Sequence, residues 1–359
     1  MNRAYYLSVF IPVAIVLRLA EAPDTAVFFT AALGVMPTAT LMSDATEALA
    51  ARSGPGIGGF MNVTFGNAPE LIIAFFALEK GLQEVVKASI VGSVIGNALL
   101  VLGAAMVVGG FNRERQYFSR LAAHTHSATL LLGVTALVVP AIFQLSHGGG
   151  LPGVDVERVK FSPDLEHLSF AIAAIVIAAY ALQLLFSLRT HRAVFNAGHE
   201  EEVGAGVWSV RKSVLLLALA GVLVGVMSEI LVGSIEGASH SVGLSPFFIG
   251  VFVVGIVGNA AEHWVAVVVA HKNKMDLAMN IALGSTAQIA MFVAPLLVLL
   301  SFAFGPHPMA LVFNGYEIAA LISAVLIANF VTSEGESTWY EGVQLLAVYV
   351  VLGVLFFYA

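Results

Sequence analysis

The sequence predicts an all-α polytopic membrane protein with eleven transmembrane helices, arranged as one peripheral helix and two inverted five-helix repeats. Three observations predict this fold class. The 359 residues are 59% hydrophobic and only 11% charged, whereas soluble domains carry about 25% charged residues. The chain contains many apolar runs long enough to cross a bilayer. Inside two of them a polar pentapeptide recurs: residues 66–70 read Gly-Asn-Ala-Pro-Glu, and residues 258–262 read Gly-Asn-Ala-Ala-Glu.

Composition also limits the chemistry and the partners. The chain has no cysteine, which excludes disulfides and thiolate metal sites. The formal net charge of −7 comes without a basic cluster, so the lipid bilayer rather than nucleic acid is the expected partner. A homo-oligomer is compatible with the sequence. The N-terminal run has one early arginine, Arg3, and no convincing cleavage site, so it is interpreted as a first membrane helix and not as a removed signal.

Each predicted helix corresponds to an apolar run of about 20 residues, the length that spans a bilayer. The runs are continuous, which disfavours a strand barrel, because barrel strands alternate in polarity. The eleven runs cover residues 4–20, 26–50, 57–79, 85–109, 118–143, 165–188, 210–235, 245–271, 275–302, 309–332 and 341–358.

The runs divide the chain into four parts. Residues 1–25 hold the first transmembrane helix, 26–188 the first five-helix repeat, 189–209 a short acidic linker, and 210–359 the second five-helix repeat. The linker has two interpretations. It is either a cytoplasmic cation sensor or a solvated acidic connection.

Positive charges predict the orientation. The loops on the N-terminal side carry eleven lysines and arginines and the opposite loops carry five, which together account for all sixteen. We therefore expect the N-terminus inside and the C-terminus outside. The compact chain, with no long regulatory N-terminal segment, favours a prokaryotic cytoplasmic membrane over a vacuolar one.

The two pentapeptides lie on the third and eighth runs. The eighth run comes five positions after the third, an odd number, so the two segments cross the membrane in opposite directions. This is the inverted-repeat plan of many secondary transporters. Carboxylates inside a membrane are costly and usually functional. Glu70 and Glu262 are therefore predicted to converge on one midplane site built from two halves.

The residues around each glutamate explain how a cation could bind. Gly66, Pro69 and Gly258 weaken helix continuity, and a broken helix exposes backbone carbonyls that line a cavity. Asparagine and glutamate lie three positions apart in each motif, hence on one helix face. Carboxylate, amide and carbonyl oxygens are the ligands that Ca²⁺ prefers.

A second pair of polar segments supplies more oxygens. Gly-Ser follows each motif glycine at the same distance of 26 residues, at 92–93 and 284–285. The alternative interpretation is that these small residues serve close helix packing and an interhelical hydrogen bond. The predicted metal site consists of Glu70, Glu262, Asn67, Asn259, Ser93, Ser285, Gln288 and Asn97.

His263 follows Glu262 directly and has no counterpart in the first motif, where Leu71 stands. Adjacent helix positions face different directions, so His263 is not expected to bind metal beside Glu262. Gating or proton handling is one interpretation, and a packed, hydrogen-bonded histidine is the other. Proton coupling is assigned to Glu70, Glu262 and His263.

Further acidic residues lie towards the ends of the second and seventh runs. Glu47 and Glu236 are predicted to line aqueous access paths to the site. Asp44 and Glu229 are weaker candidates for the same role.

These motifs resemble the two signature repeats of the calcium/proton exchangers, the CAX family of the calcium/cation antiporter superfamily. Residues 228–237 and 244–250 and the two Gly-Ser pairs resemble that family as well. The resemblance implies eleven spans with an acidic linker between inverted halves. It also implies that the two motif glutamates bind Ca²⁺ at midplane and that Ca²⁺ is exported for H⁺, with no cofactor. The linker here is shorter than that pattern, with a run of only three glutamates.

Three alternatives stay open at this point. A Na⁺/Ca²⁺ or other divalent cation exchanger of the same superfamily would need more hydroxyl and carbonyl ligands around the cavity. A channel would share the membrane fold. An intramembrane enzyme is not expected, because the sequence has no His-Glu-x-x-His pattern and no paired aspartates suited to proteolysis.

Overall fold

A computed structural model of the chain describes residues 3–53, 58, 61, 64–154, 161–190 and 208–359. A 3₁₀ turn at Arg3–Val9 leads into the first helix. The helices are α1 (Phe10–Leu19), α2 (Asp24–Ala50), α3 (Ala68–Glu79), α4 (Gln83–Gly110), α5 (Arg120–Ser146), α6 (Pro163–Leu185), α7 (Val210–Gly233), α8 (Ile235–Val242), α9 (Pro246–Gly258), α10 (Ala260–His271), α11 (Met275–Ser301), α12 (Gly315–Thr332) and α13 (Trp339–Tyr358).

The prediction of a helical, polytopic membrane protein is confirmed. Among the described residues, eight helices are long and apolar enough to span a bilayer, namely α2, α4, α5, α6, α7, α11, α12 and α13. The pair α8 and α9, bent by 114°, would make a ninth. The predicted runs 4–20, 57–79 and 245–271 contain shorter or interrupted helices, so the count of eleven stays a prediction. Most of the acidic linker, 191–207, lies outside the described residues.

The chain breaks at the asparagine of each pentapeptide. Asn67 has φ −97° and ψ 20°, and Asn259 has φ −92° and ψ 5°, so neither residue continues a helix. The short helices α3 and α10 begin at the next residue. Proline is tolerated in the first turn of a helix, where the amide proton has no intrahelical partner, which is where Pro69 lies.

The core is centred on α4 and α11, whose most apolar windows are 83% and 72% buried within the protein. The helix α2 packs along α7, and α4 crosses α9. At this crossing a Cβ on Gly92 would lie 1.9 Å from the Val251 carbonyl oxygen, and one on Gly255 would lie 2.8 Å from the carbonyl carbon of Gly92. Only glycine permits the two backbones to touch in this way.

Both central helices contain a π-helical turn, at Gly96–Val101 in α4 and at Ile289–Val293 in α11. A third occurs at Ile249–Val254 in α9. Such turns widen a helix locally and are frequent at functional sites. In α4 and α11 they follow the predicted site residues Ser93 and Ser285 by a few positions.

The tenth predicted run, 309–332, is only partly helical. Residues 309–313 are fully buried but not helical, because Asn314 and Glu317 form a capping box that starts α12 at Gly315. Serine side chains of other helices accept hydrogen bonds from backbone N–H groups of residues 309–313. Ser301 Oγ accepts the Met309 N–H at 2.8 Å, and Ser169 Oγ accepts the Leu311 N–H at 3.0 Å. Periodicity alone does not distinguish such a buried segment from a helix.

Three loops are joined at one end of the molecule. The strands β1 (Gln116–Tyr117) and β2 (Glu336–Ser337) pair antiparallel, and Arg115 forms an ion pair with Glu336 at 2.6 Å. The Ser119 N–H donates to Asp276, next to the start of α11. These bonds connect the α4–α5, α10–α11 and α12–α13 loops.

Candidate cation site

The two pentapeptides meet in space with reciprocal contacts. A Cβ placed on Gly258 would lie 3.0 Å from Cγ of Glu70, and one placed on Gly66 would lie 3.6 Å from Oε1 of Glu262. Each motif glycine therefore lies against the glutamate of the other motif. Glu70 and Glu262 thus lie at the contact between the two motifs, and their joint binding of a cation stays a prediction.

Each glutamate is the third residue of its short helix, α3 or α10. Backbone N–H groups in a first turn have no intrahelical acceptor, and the positive end of the helix dipole favours negative charge there. The break before each helix thus exposes a polar end beside a carboxyl group. Glu70 is 9% exposed, and Glu262 is half-buried.

Asn67 is held by the second half of the chain. Ser285 Oγ donates to Asn67 Oδ1 at 2.9 Å, and Asn67 Nδ2 donates to Gln288 Oε1. Asparagine at a helix start usually caps its own helix, but the side chain of Asn67 makes no such bond. Its hydrogen bonds go to residues of the second half of the chain instead.

Asn259 is held mainly by the first half. Its Nδ2 donates to Ser93 Oγ at 2.9 Å and to the Gly255 carbonyl at 3.0 Å. Asn97 Nδ2 donates to Asn259 Oδ1 at 3.2 Å and to Ser285 Oγ at 3.3 Å. Asn97 therefore bridges the two asparagine–serine pairs, and the predicted secondary ring of Ser93, Asn97, Ser285 and Gln288 forms one connected network.

His263 lies one hydrogen bond behind this network. Its Nε2 is 3.0 Å from Asn97 Oδ1. Because the Asn97 amide nitrogen already donates twice, its oxygen is the acceptor, and His263 carries a proton on Nε2. The arrangement fixes which way the Asn97 amide points.

Each glutamate has one carboxyl oxygen without a hydrogen-bond partner among the described residues. Oε2 of Glu70 and Oε2 of Glu262 are buried and have no hydrogen-bond partner among the residues described. A buried polar atom without a partner costs free energy, so both oxygens are suited to a cation or a proton. No group of three or more His, Asp or Glu side chains with metal-site geometry occurs in the described part of the chain. Amide, hydroxyl and carbonyl oxygens would therefore have to complete a Ca²⁺ shell around these two carboxylates.

The predicted access residues Glu47 and Glu236 lie on α2 and α8. Glu47 is exposed near the end of α2, and Glu236 is exposed in the first turn of α8. Asp44 accepts a hydrogen bond from the Tyr5 hydroxyl at 2.7 Å.

Three polar side chains outside this network were given no functional role from the sequence. His126 of α5 lies beside Gly284, its Cε1 being 3.5 Å from where a Cβ would stand. Lys87 and Glu317 are buried near the N-terminal ends of α4 and α12, respectively. Both Lys87 and Glu317 lie inside predicted spans. A charged residue inside a span is the signal that could have identified them as functional candidates.

The sequence of this chain is similar to those of a known protein family. The sodium/calcium exchanger protein family matches residues 24–189 and 212–358. The chain belongs to this family. Within it, the exchanger falls among the calcium/proton exchangers, as its motifs predict.

Two bacterial relatives match nearly the whole exchanger. The Ca²⁺/H⁺ antiporter of Synechocystis sp. is 42% identical, over 98% of this chain and 96% of its own length. The Ca²⁺/H⁺ antiporter ChaA of Bacillus subtilis is 41% identical, over 99% of each chain.

Solved structures agree on the fold. The exchanger superimposes on native YfkE with a TM-score of 0.84 at 37% identity, covering 100% of both chains. An H⁺/Ca²⁺ exchanger CAX gives a TM-score of 0.71 at 12% identity, covering 99% of this chain and 91% of the other. At that identity the likeness shows the fold alone.

Proposed function

We propose that this chain is a secondary active antiporter that exports Ca²⁺ from the cytoplasm in exchange for H⁺, by alternating access around a midplane site formed by Glu70 and Glu262. The observation that carries the proposal is the reciprocal contact of each motif glycine with the other motif's glutamate. The names of its relatives as Ca²⁺/H⁺ antiporters support the choice of ions.

Charge balance explains the coupling of the two ions. Two carboxylates can hold one Ca²⁺ or two protons with the same net charge, whereas an empty site would leave two buried charges uncompensated. Movement of the empty site is therefore disfavoured, which couples the fluxes. Calcium binding is expected to weaken as pH falls, because protons compete for the same oxygens.

The hydrogen-bonded network supports a two-fold site. Asn67 is bonded by Ser285, and Asn259 by Ser93, so each half of the chain holds the other half's asparagine. This exchange of partners is what two inverted repeats would produce. In this proposal Asn67, Asn259, Ser93, Ser285, Asn97 and Gln288 supply or orient ligand oxygens, and His263 holds Asn97.

Access would alternate by movement of α2 and α7 past the site. These helices pack on each other, and each leads to an acidic residue, Glu47 near the end of α2 and Glu236 just beyond α7. With the N-terminus inside, Glu47 would line the cytoplasmic path and Glu236 the outer one. The membrane would be a prokaryotic cytoplasmic membrane.

The test is Ca²⁺ uptake into proteoliposomes with an imposed pH gradient. Wild type should accumulate Ca²⁺ when the gradient is present, and Glu70→Gln and Glu262→Gln should each reduce uptake to background. Glu79→Gln is the matched control, because it removes an exposed carboxylate at the other end of α3, the helix that carries Glu70. Uptake that follows a Na⁺ gradient instead would favour the Na⁺/Ca²⁺ alternative. Uptake that persists in both glutamine variants would exclude the proposed site.

A further inference from the structure

A second group of charges is buried where α4 meets α12. The Lys87 side chain is 1% exposed, and its Nζ lies 2.6 Å from Oε1 of Glu84. The same Nζ donates to the Val312 carbonyl at 2.7 Å and lies 5.6 Å from the centre of the Phe161 ring. Its ion-pair partner is thus one turn away on the same helix.

Glu317 is fully buried beside this pair. Its Oε2 accepts the Asn314 N–H at 2.8 Å, and Asn314 Oδ1 accepts the Glu317 N–H at 2.9 Å. These two bonds form the capping box of α12 and use only one carboxyl oxygen. The other oxygen, Oε1, is buried with no hydrogen-bond partner among the described residues.

The charges of this group do not balance. It contains two carboxyl groups and one ammonium group. Glu84 is paired directly with Lys87 and is 17% exposed. Glu317 is 0% exposed, and removing an ionised carboxylate from water is costly when no cation is paired with it. Buried groups in this position neutralise by binding a proton.

The surroundings of Glu317 supply no second cation. The charged groups that act on its carboxyl are Lys87 and Glu84, both from α4. The helices α5 and α13 and the strand β2 also pack on α12, but in the described residues none of them contributes a charged group acting on this carboxyl.

This group is distinct from the cation site. On α4, Lys87 and Ser93 are six positions apart and therefore lie on different faces of the helix. The hydrogen-bonded network of Asn67, Asn97 and Asn259 contains no member of the group.

We propose that Glu317 is a proton-binding site, separate from the site formed by Glu70 and Glu262, and that its proton keeps Lys87 paired with Glu84. When Glu317 loses the proton, Lys87 has two carboxylates competing for it. The ligand is a proton exchanged with water at the end of the molecule where α4 and α12 begin. The inference does not depend on the transported ion.

The experiment is infrared spectroscopy of the full-length protein in lipid vesicles at neutral pH, with and without saturating Ca²⁺. A protonated buried carboxyl gives a carbonyl band that an ionised one lacks. Calcium should remove any band from Glu70 and Glu262. Wild type with Ca²⁺ should retain one protonated-carboxyl band, and Glu317→Gln should lose it. Glu317→Asp should shift it.

The matched control is Glu341→Gln. Glu341 occupies the same capping-box position at the start of α13 but is only half-buried, so its variant should retain the band. Glutamine also completes a capping box, so α12 should form in Glu317→Gln. Absence of the band from Ca²⁺-saturated wild type, or its persistence in Glu317→Gln, overturns the proposal. If a band that is lost in Glu70→Gln or Glu262→Gln is unchanged by Ca²⁺ in wild type, the cation site fails, while the Glu317 comparison still stands.

Discussion

Residues 68–70 of the first motif are all buried, whereas residues 260–262 of the second motif are all partly exposed. The first motif has Pro69 and Leu71 where the second has Ala261 and His263. Both glutamates nevertheless end against a glycine of the other motif. The positions that carry the carboxylates and amides are shared between the halves, and the residues that support them are not.

The same contrast holds for the helices that carry the serines. Gly92 touches the backbone of α9, while Gly284, at the corresponding place in the second half, meets only the edge of His126. The duplicated pattern therefore preserves the polar groups and leaves each half to pack in its own way. Three pairs of variants and one single variant test this difference, and the largest effect comes first.

Gly92→Ala should destabilise the protein by about 3 kcal/mol or more, because a methyl group 1.9 Å from the Val251 oxygen forces two backbones apart. Gly284→Ala should be neutral or stabilising by up to about 1 kcal/mol, since alanine is the better helix former. Thermal unfolding in detergent, followed by size-exclusion chromatography, measures both. Equal melting temperatures for the two variants would contradict the difference in packing.

His263→Leu gives the second motif the residue found in the first. It should leave Asn97 Oδ1 without its partner and cost about 1–3 kcal/mol. Because Asn97 holds Asn259 and Ser285, Ca²⁺ affinity should fall as well. His263→Gln, which can still donate, should restore part of the affinity. Isothermal titration with Ca²⁺ provides the readout, and an unchanged affinity in His263→Leu would remove His263 from the site.

Gly258→Ala should weaken Ca²⁺ binding roughly tenfold, equivalent to about 1.4 kcal/mol, because the new methyl group would press on the Glu70 side chain at 3.0 Å. Gly66→Ala should change it much less, since its methyl group would make an ordinary contact at 3.6 Å with Glu262 Oε1. Calcium titration of both variants decides the matter. A stronger effect of Gly66→Ala would contradict the conclusion that the Gly258–Glu70 contact is the closer of the two.

Ala261→Pro gives the second motif the proline of the first and should have the smallest effect, within about 0.5 kcal/mol. Position 261 lies in the first turn of α10, where proline is tolerated. Transport in proteoliposomes and thermal unfolding should both stay near wild type. A large loss would mean that the two breaks need different backbone geometry.

Much of this architecture could be predicted from local patterns. The run 118–143 corresponds to α5 at Arg120–Ser146, and 165–188 to α6 at Pro163–Leu185, because long apolar stretches are read directly. The motif glutamates and the Ser and Asn positions were also found, since polar residues in apolar runs stand out.

Other features depend on partners far away in the chain. Asn67 bonds Ser285, 218 positions distant, and not the serine of its own half. Residues 309–313 are apolar enough to be interpreted as helix, yet they are not helical, and side chains of other helices accept their backbone N–H groups. Glu317 was missed because its significance depends on Lys87, which periodicity does not connect to it.

The contacts around β1 and β2 bear on how the neighbouring helices can move relative to one another. With Arg115 bound to Glu336 and Ser119 bound to Asp276, the ends of α4, α5, α11, α12 and α13 are fastened to one another. We therefore expect these helices to move together at that end. In the proposed alternating-access mechanism, the change in which side reaches Glu262 is then expected in the elements outside this link, chiefly α2 and α7.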